Sequence, residues 1–203
     1  MFIAFLAGVA LTVCVVALQA HRAQVGMQEM AGAAANDGAL DRDKLGGPFT
    51  LTNQDGKIVS DRDFAGRYLL IYFGYTFCPD ICPTGLQSMS RALDELKGDA
   101  DKIQPLFITV DPARDTPQRL KDYNSAFNPR IVGLTGSAEQ IAAVAKEYQV
   151  YYEKGEGDED YEVDHSTLIY LMNPAGKLVA TFGEETDPQA IVAAFKKASD
   201  THS

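Results

Sequence analysis

Tyr68-Leu69-Leu70-Ile71-Tyr72-Phe73-Gly74-Tyr75, running on into Thr76-Phe77-Cys78-Pro79-Asp80-Ile81-Cys82-Pro83, is the stretch on which the fold turns. Its first eight residues are apolar without alternation, which predicts a central strand covered on both faces. Turn residues follow at once. Beyond them Leu86, Met89, Leu93 and Leu96 recur at helical spacing, so the unit reads as strand, tight loop and amphipathic helix.

Outward from this unit the same grammar repeats. Leu106 to Val110 is a second buried strand, and Ile131-Val132-Gly133-Leu134 a third. Between them Thr116 is an N-cap with Pro117 at the first helical position, opening a helix that carries Leu120, Tyr123 and Phe127. Ser137 and Gln140 make a capping box for a helix bearing Ile141, Val144, Ala145 and Tyr148. Thr167–Met172 and Lys177–Phe182 flank the turn Asn173-Pro174-Ala175-Gly176 as a hairpin, and Asp187-Pro188 opens a last helix. On the N-terminal side, Phe49 to Thr52 and Lys57 to Val59 flank Asn53-Gln54-Asp55-Gly56 as another hairpin. Hairpin, β-α-β-α-β-α, hairpin, helix is the order of an α/β, thioredoxin-like mixed sheet with helices on both faces and an N-terminal β-hairpin extension.

The chain of 203 residues suits one such domain with an appendage. Phe2 to Ala20 is apolar and uncharged, so residues 1–22 read as a transmembrane anchor; the run is long for a cleaved signal peptide and lacks a basic leader. Residues 23–45, rich in Ala, Gly, Gln and Asp, read as a flexible tether, leaving 46–203 as the domain. The formal net charge of −10 excludes a nucleic-acid partner, which would need a basic face. Seven of the carboxylates fall between Glu153 and Asp164 beside the single Lys154, a solvated loop in this reading.

Of three cysteines, Cys14 lies in the anchor, so Cys78 and Cys82 are a local pair rather than a disulfide framework. They sit where functional groups collect in open α/β sheets, beyond the carboxyl end of a strand. Pro83 disfavours a helical Cys82, which predicts Cys82 as the N-cap and a stiff loop joining the sulfurs. The helix N-terminus favours thiolate, the form needed by a nucleophile and by a soft-metal ligand alike. Inert thiols, a dithiol oxidoreductase and a metal site all remain open on the pair alone. His165 is the one histidine outside the N-terminal appendage and the tail, and it precedes a strand expected beside Tyr68–Tyr75. Thioredoxin-like oxidoreductases carry a proline near that point; Val163-Asp164-His165-Ser166-Thr167 has none, which favours the ligand role. Two thiolates and an imidazole are too few for a closed zinc site but suit copper, with one net negative charge for Cu(I) and none for Cu(II). A loop site open to solvent favours passing the ion on.

Three separated motifs carry a resemblance: Cys78-Pro79-Asp80-Ile81-Cys82-Pro83-Thr84, Val110-Asp111-Pro112-Ala113-Arg114-Asp115-Thr116-Pro117, and Asp160-Tyr161-Glu162-Val163-Asp164-His165-Ser166-Thr167. In these the chain resembles the Sco/SenC family over residues 45–198. The resemblance implies a membrane-anchored copper protein that helps assemble the binuclear copper centre of cytochrome c oxidase. It implies Cys78, Cys82 and His165 as metal ligands for Cu(I) and Cu(II), and Cys78 and Cys82 as a redox-active pair. The expected partners are the copper-bearing oxidase subunit and other periplasmic copper chaperones. The expected place is a bacterial inner membrane, with the domain in the periplasm. A tethered thiol-disulfide oxidoreductase acting on the oxidase's cysteines and a copper or redox sensor are the rival functions. Asp111 and Arg114-Asp115 read as a structural turn and ion pair behind the site, and Asp80 and Asp164 as carboxylates that orient the ligands or as plain loop carboxylates.

Overall fold

In the computed structural model, residues 40–157 and 160–200 are described. The expected anchor, with Cys14, and the expected tether up to residue 39 lie outside them. Among the described residues no helix is long and apolar enough to cross a membrane.

Strands β1 (Thr50–Asn53) and β2 (Ile58–Ser60) form the first hairpin, turning where Asn53 Oδ1 accepts the N–H groups of Asp55 and Lys57. The central strand β3 (Tyr68–Gly74) leads into α1 (Ile81–Leu96), then β4 (Ile103–Thr109), α2 (Pro117–Asn124), β5 (Val132–Thr135) and α3 (Ala138–Glu147). A short ribbon of β6 (Tyr152–Lys154) and β7 (Val163–His165) follows. The chain closes with β8 (Ile169–Met172), β9 (Leu178–Phe182) and α4 (Pro188–Asp200). The seven-stranded sheet has the order β2-β1-β5-β4-β3-β8-β9; β3, β4 and β5 are parallel, and β1, β8 and β9 add antiparallel pairs. This is the expected thioredoxin-like α/β sheet with its hairpin extension.

Strand alternation decides which helix covers which face. Tyr68 meets Phe195 of α4 edge-on, while Tyr72 lies under Gly85 of α1 and stacks near Phe107, which in turn meets Tyr123 of α2. Those three helices therefore share one face. Phe73 and Tyr170 point the other way and close on Tyr148, just past α3. Both expected caps form: Thr116 Oγ1 accepts from Arg119 N, and Ser137 and Gln140 bond reciprocally. Residues 41–45 pack onto this unit, with Leu45 buried and Asp41 hydrogen-bonded to Gln149 through both backbone groups.

Two expectations are corrected. Cys82 is not the N-cap: the helix starts at Ile81 with Asp80 as cap, so Cys82 is its second residue and Pro83 its third. The first four N–H groups of a helix have no intrahelical acceptor, so a proline there sacrifices none, and the bias against a helical residue before proline is overridden. The acidic segment is not a plain loop either. Its flanks pair as the β6–β7 ribbon, with Tyr152 opposite His165.

Candidate metal centre

Three elements converge beyond the carboxyl end of β3. The loop from Tyr75 to Asp80 supplies Cys78, the first turn of α1 supplies Cys82, and the end of β7 supplies His165. Antiparallel pairing brings the third in, because Tyr72 lies opposite Ile169 and the start of β8 is therefore level with the end of β3. The donor atoms of Cys78, Cys82 and His165 all lie within 4.8 Å of one another. With metal–sulfur bonds of about 2.3 Å, two donors across one ion stand at most about 4.6 Å apart, so the cluster is near bonding spacing. Cys82 Sγ is 3.4 Å from His165 Nε2.

The imidazole is oriented from behind. Nδ1 faces the Ser166 carbonyl at 2.9 Å, which can only accept, so Nδ1 carries the proton and the Nε2 lone pair faces the sulfurs. Tyr75 meets the ring edge-on at 5.7 Å. Neither thiol is disulfide-bonded. The Cys78 sulfur accepts the Cys82 backbone N–H at 3.4 Å. Hydrogen bonding to the Cys82 thiol, opposed by burial and aided by the backbone N–H groups of Cys82 and Asp80, brings the Cys78 thiol down to about 3. The same hydrogen bond and burial push Cys82 up. The metal-free pair therefore holds one negative charge, on Cys78, and a metal ion would displace the remaining proton.

The site is less open than the sequence suggests. Cys78 is 8% exposed and Cys82 wholly buried, while His165 is half-buried. Access is from one side, through a cleft of about 690 Å³ whose wall includes Cys78, His165, Tyr75, Ile81, Glu153 and Glu162. Asp80 and Asp164 also border it. The Asp80 carbonyl caps α1 by accepting Thr84 N and Oγ1.

Behind the thiols, at the expected turn with its Asp111–Arg114 ion pair, lies a polar brace. The buried Asp115 carboxylate accepts Thr76 N at 3.0 Å, Thr76 Oγ1 at 2.6 Å and Thr109 Oγ1 at 2.6 Å, tying the ends of β3 and β4 together. Gly74 was missed. A Cβ there would stand 2.8 Å from the Cys82 sulfur. The available signal was a glycine inside an otherwise bulky strand, which marks close approach.

The SCO1/SenC family model matches residues 37–200. The chain belongs to the SCO1/SenC family. Protein sco1 of Schizosaccharomyces pombe is 45% identical over 161 residues, 77% of this chain and 61% of the relative. The SCO2-like protein of Rickettsia felis is 42% identical over 159 residues, 77% of this chain and 78% of the relative. Other SCO1/SenC relatives are mitochondrial proteins, and this chain spans about half the length of the human one. Among solved structures, copper-bound ScoI of Arabidopsis thaliana has 42% identity and a TM-score of 0.72, covering 77% of this chain and 99% of that one. BsSco, described through a disulfide switch and as a member of the Sco family of cytochrome c oxidase assembly proteins, has 30% identity and a TM-score of 0.65, covering 77% and 94%.

Proposed function

We propose that this SCO1/SenC protein is a copper-binding chaperone that delivers copper to, or matures, the binuclear copper centre of cytochrome c oxidase. Copper is its cargo, held by Cys78, Cys82 and His165 in both oxidation states. The observation that carries the reading is the meeting of two sulfurs and one correctly oriented imidazole nitrogen within 4.8 Å. Family membership supports it, since relatives have been solved with copper bound. The donor set is soft enough for Cu(I) and, through the imidazole, suits Cu(II). Two ligands at the cleft wall, Cys78 and His165, and the buried sulfur of Cys82 fit an ion that enters and leaves by the same mouth. The oxidase's copper-bearing subunit, and other copper chaperones, are the partners in this reading.

Residues 1–22 serve as the membrane anchor and the residues after them as the tether of domain 46–203, with the domain on the periplasmic side of a bacterial inner membrane. The uncharged run Phe2–Ala20 supports this placement.

A second reading has its own support, the acidified Cys78 at the cleft beside a buried, protonated Cys82. As a dithiol reductase, Cys78 thiolate attacks one sulfur of a client disulfide, releasing the other as a thiolate that takes a proton from water. Cys82 sulfur, losing its proton, then displaces the first, so the client gains two thiols and this chain a disulfide. The two readings separate on His165. The reduced chain is titrated with Cu(I) against a chromophoric chelator and with Cu(II) by absorption, and His165→Ala is compared. One tightly held ion per chain, weakened at least 10-fold in the variant, is the expected result. No tight binding, with thiol exchange indifferent to the substitution, overturns the copper reading.

A further inference from the structure

The thiol half and the imidazole half of the centre come from segments far apart in sequence, and one arginine packs against an aromatic ring of each. Arg114, in the loop that follows β4, has its guanidinium carbon 3.6 Å from the centre of the Tyr161 ring and 4.5 Å from that of Phe77. Phe77 immediately precedes Cys78. Tyr161 stands four residues before His165, at the entry to β7. The planar guanidinium thus fills a slot between one aromatic ring on each half.

Asp111 fixes the arrangement. One carboxylate oxygen takes Arg114 Nε in an ion pair, and the other accepts the Tyr161 hydroxyl at 2.7 Å. Asp111 is 4% and Tyr161 6% exposed, so water competes weakly for either bond. The neighbouring Asp115 holds Thr76 on the cysteine side, so the carboxylates of loop 111–115 take two hydrogen bonds from the thiol segment and one from the histidine segment. The ribbon needs that grip. Its strands are three residues each, paired only with one another, and the outward residues Glu153, Lys154 and Asp164 are exposed. A two-stranded ribbon of this size does not hold a fixed position in water by itself.

We infer that Arg114, clamped by Asp111 and Tyr161, is the positioning residue that sets the imidazole of His165 against the sulfurs of Cys78 and Cys82. Its part is to decide where the ribbon stands. The inference rests on the copper reading for its purpose but not for its geometry. Lysine keeps the charge without the flat, two-faced surface, so Arg114→Lys does not restore the slot.

The test uses the full chain, with unfolding curves confirming that each variant is folded. In metal-free protein, amide hydrogen exchange at residues 163–166 is expected to rise at least 10-fold in Arg114→Lys and, more weakly, in Tyr161→Phe, while β3 and β4 keep wild-type protection. With Cu(II), the nitrogen hyperfine signature is expected to broaden or vanish in Arg114→Lys, and affinity to fall about 10- to 100-fold. Wild-type exchange in both variants overturns the inference; should Arg114→Lys fail to fold, Tyr161→Phe decides alone. A wild-type chain without a nitrogen ligand, or one that His165→Ala leaves unchanged, overturns the copper reading instead, and the metal-free exchange data still decide the role of Arg114.

Discussion

At Gly74 a side-chain carbon would stand 2.8 Å from the Cys82 sulfur and 2.9 Å from the Phe107 ring, both in positions with no room to retreat. Gly74→Ala is therefore expected to lose about 1–3 kcal/mol in urea unfolding, the usual cost of overpacking a closed core. Unchanged stability would mean that the sulfur is free to move. Single residues also show how legible the site was. Cys78 and Cys82 stand out in sequence because two prolines and a strand end surround them. His165 stands out by scarcity, as the one histidine among the described residues. Gly74 shows only as a glycine in a bulky strand, and Arg114 and Tyr161 only as members of longer motifs, since their roles are contacts with residues far along the chain.

Elements fall into two kinds here, those that local chemistry specifies and those that the rest of the molecule holds. Helix α3 is of the first kind. Its capping box satisfies two backbone donors through Ser137 and Gln140, at 3.2 and 2.8 Å, and its apolar stripe buries Ile141 and Val144. Removing the cap in Ser137→Ala is expected to lower stability by about 1 kcal/mol in the same unfolding assay, with copper uptake unaffected because α3 covers the other face of the sheet. A variant as stable as wild type would show that packing alone sustains the helix. The β6–β7 ribbon is of the second kind. Its sequence is acidic and glycine-bearing, with no strand alternation to read, and Tyr161 and Val163 fasten it by burial. The start of α1 lies between the two. Proline statistics place the cap at Cys82, whereas the structure places it at Asp80, two residues earlier.

For the molecule as a whole, the Asp115 brace makes stability depend on pH in a direction opposite to most carboxylates. Burial raises its pKa, outweighing the hydrogen bonds from Thr109 and Thr76. A group bound more tightly to its proton when folded contributes stability below its unfolded value, near 3.8, and loses it as pH rises through the folded value. Asp115→Asn removes the titration and sets an amide N–H against a buried donor. It is expected to cost about 1–3 kcal/mol at pH 7. The gap to wild type should widen on acidification towards pH 4; a gap that narrows overturns the assignment. The sequence by itself determined the layers of this protein. Unbroken apolar runs become central strands, and helical periodicity with explicit caps becomes covering helices, because burial pattern and backbone bonding are local properties. Tertiary structure alone decided how the centre is put together. His165 meets Cys82 across 83 residues because β8 pairs antiparallel with β3, and the ribbon stands in place where Arg114 fills the slot between Phe77 and Tyr161. Such distances depend on how separate segments dock, and no short stretch of sequence records that.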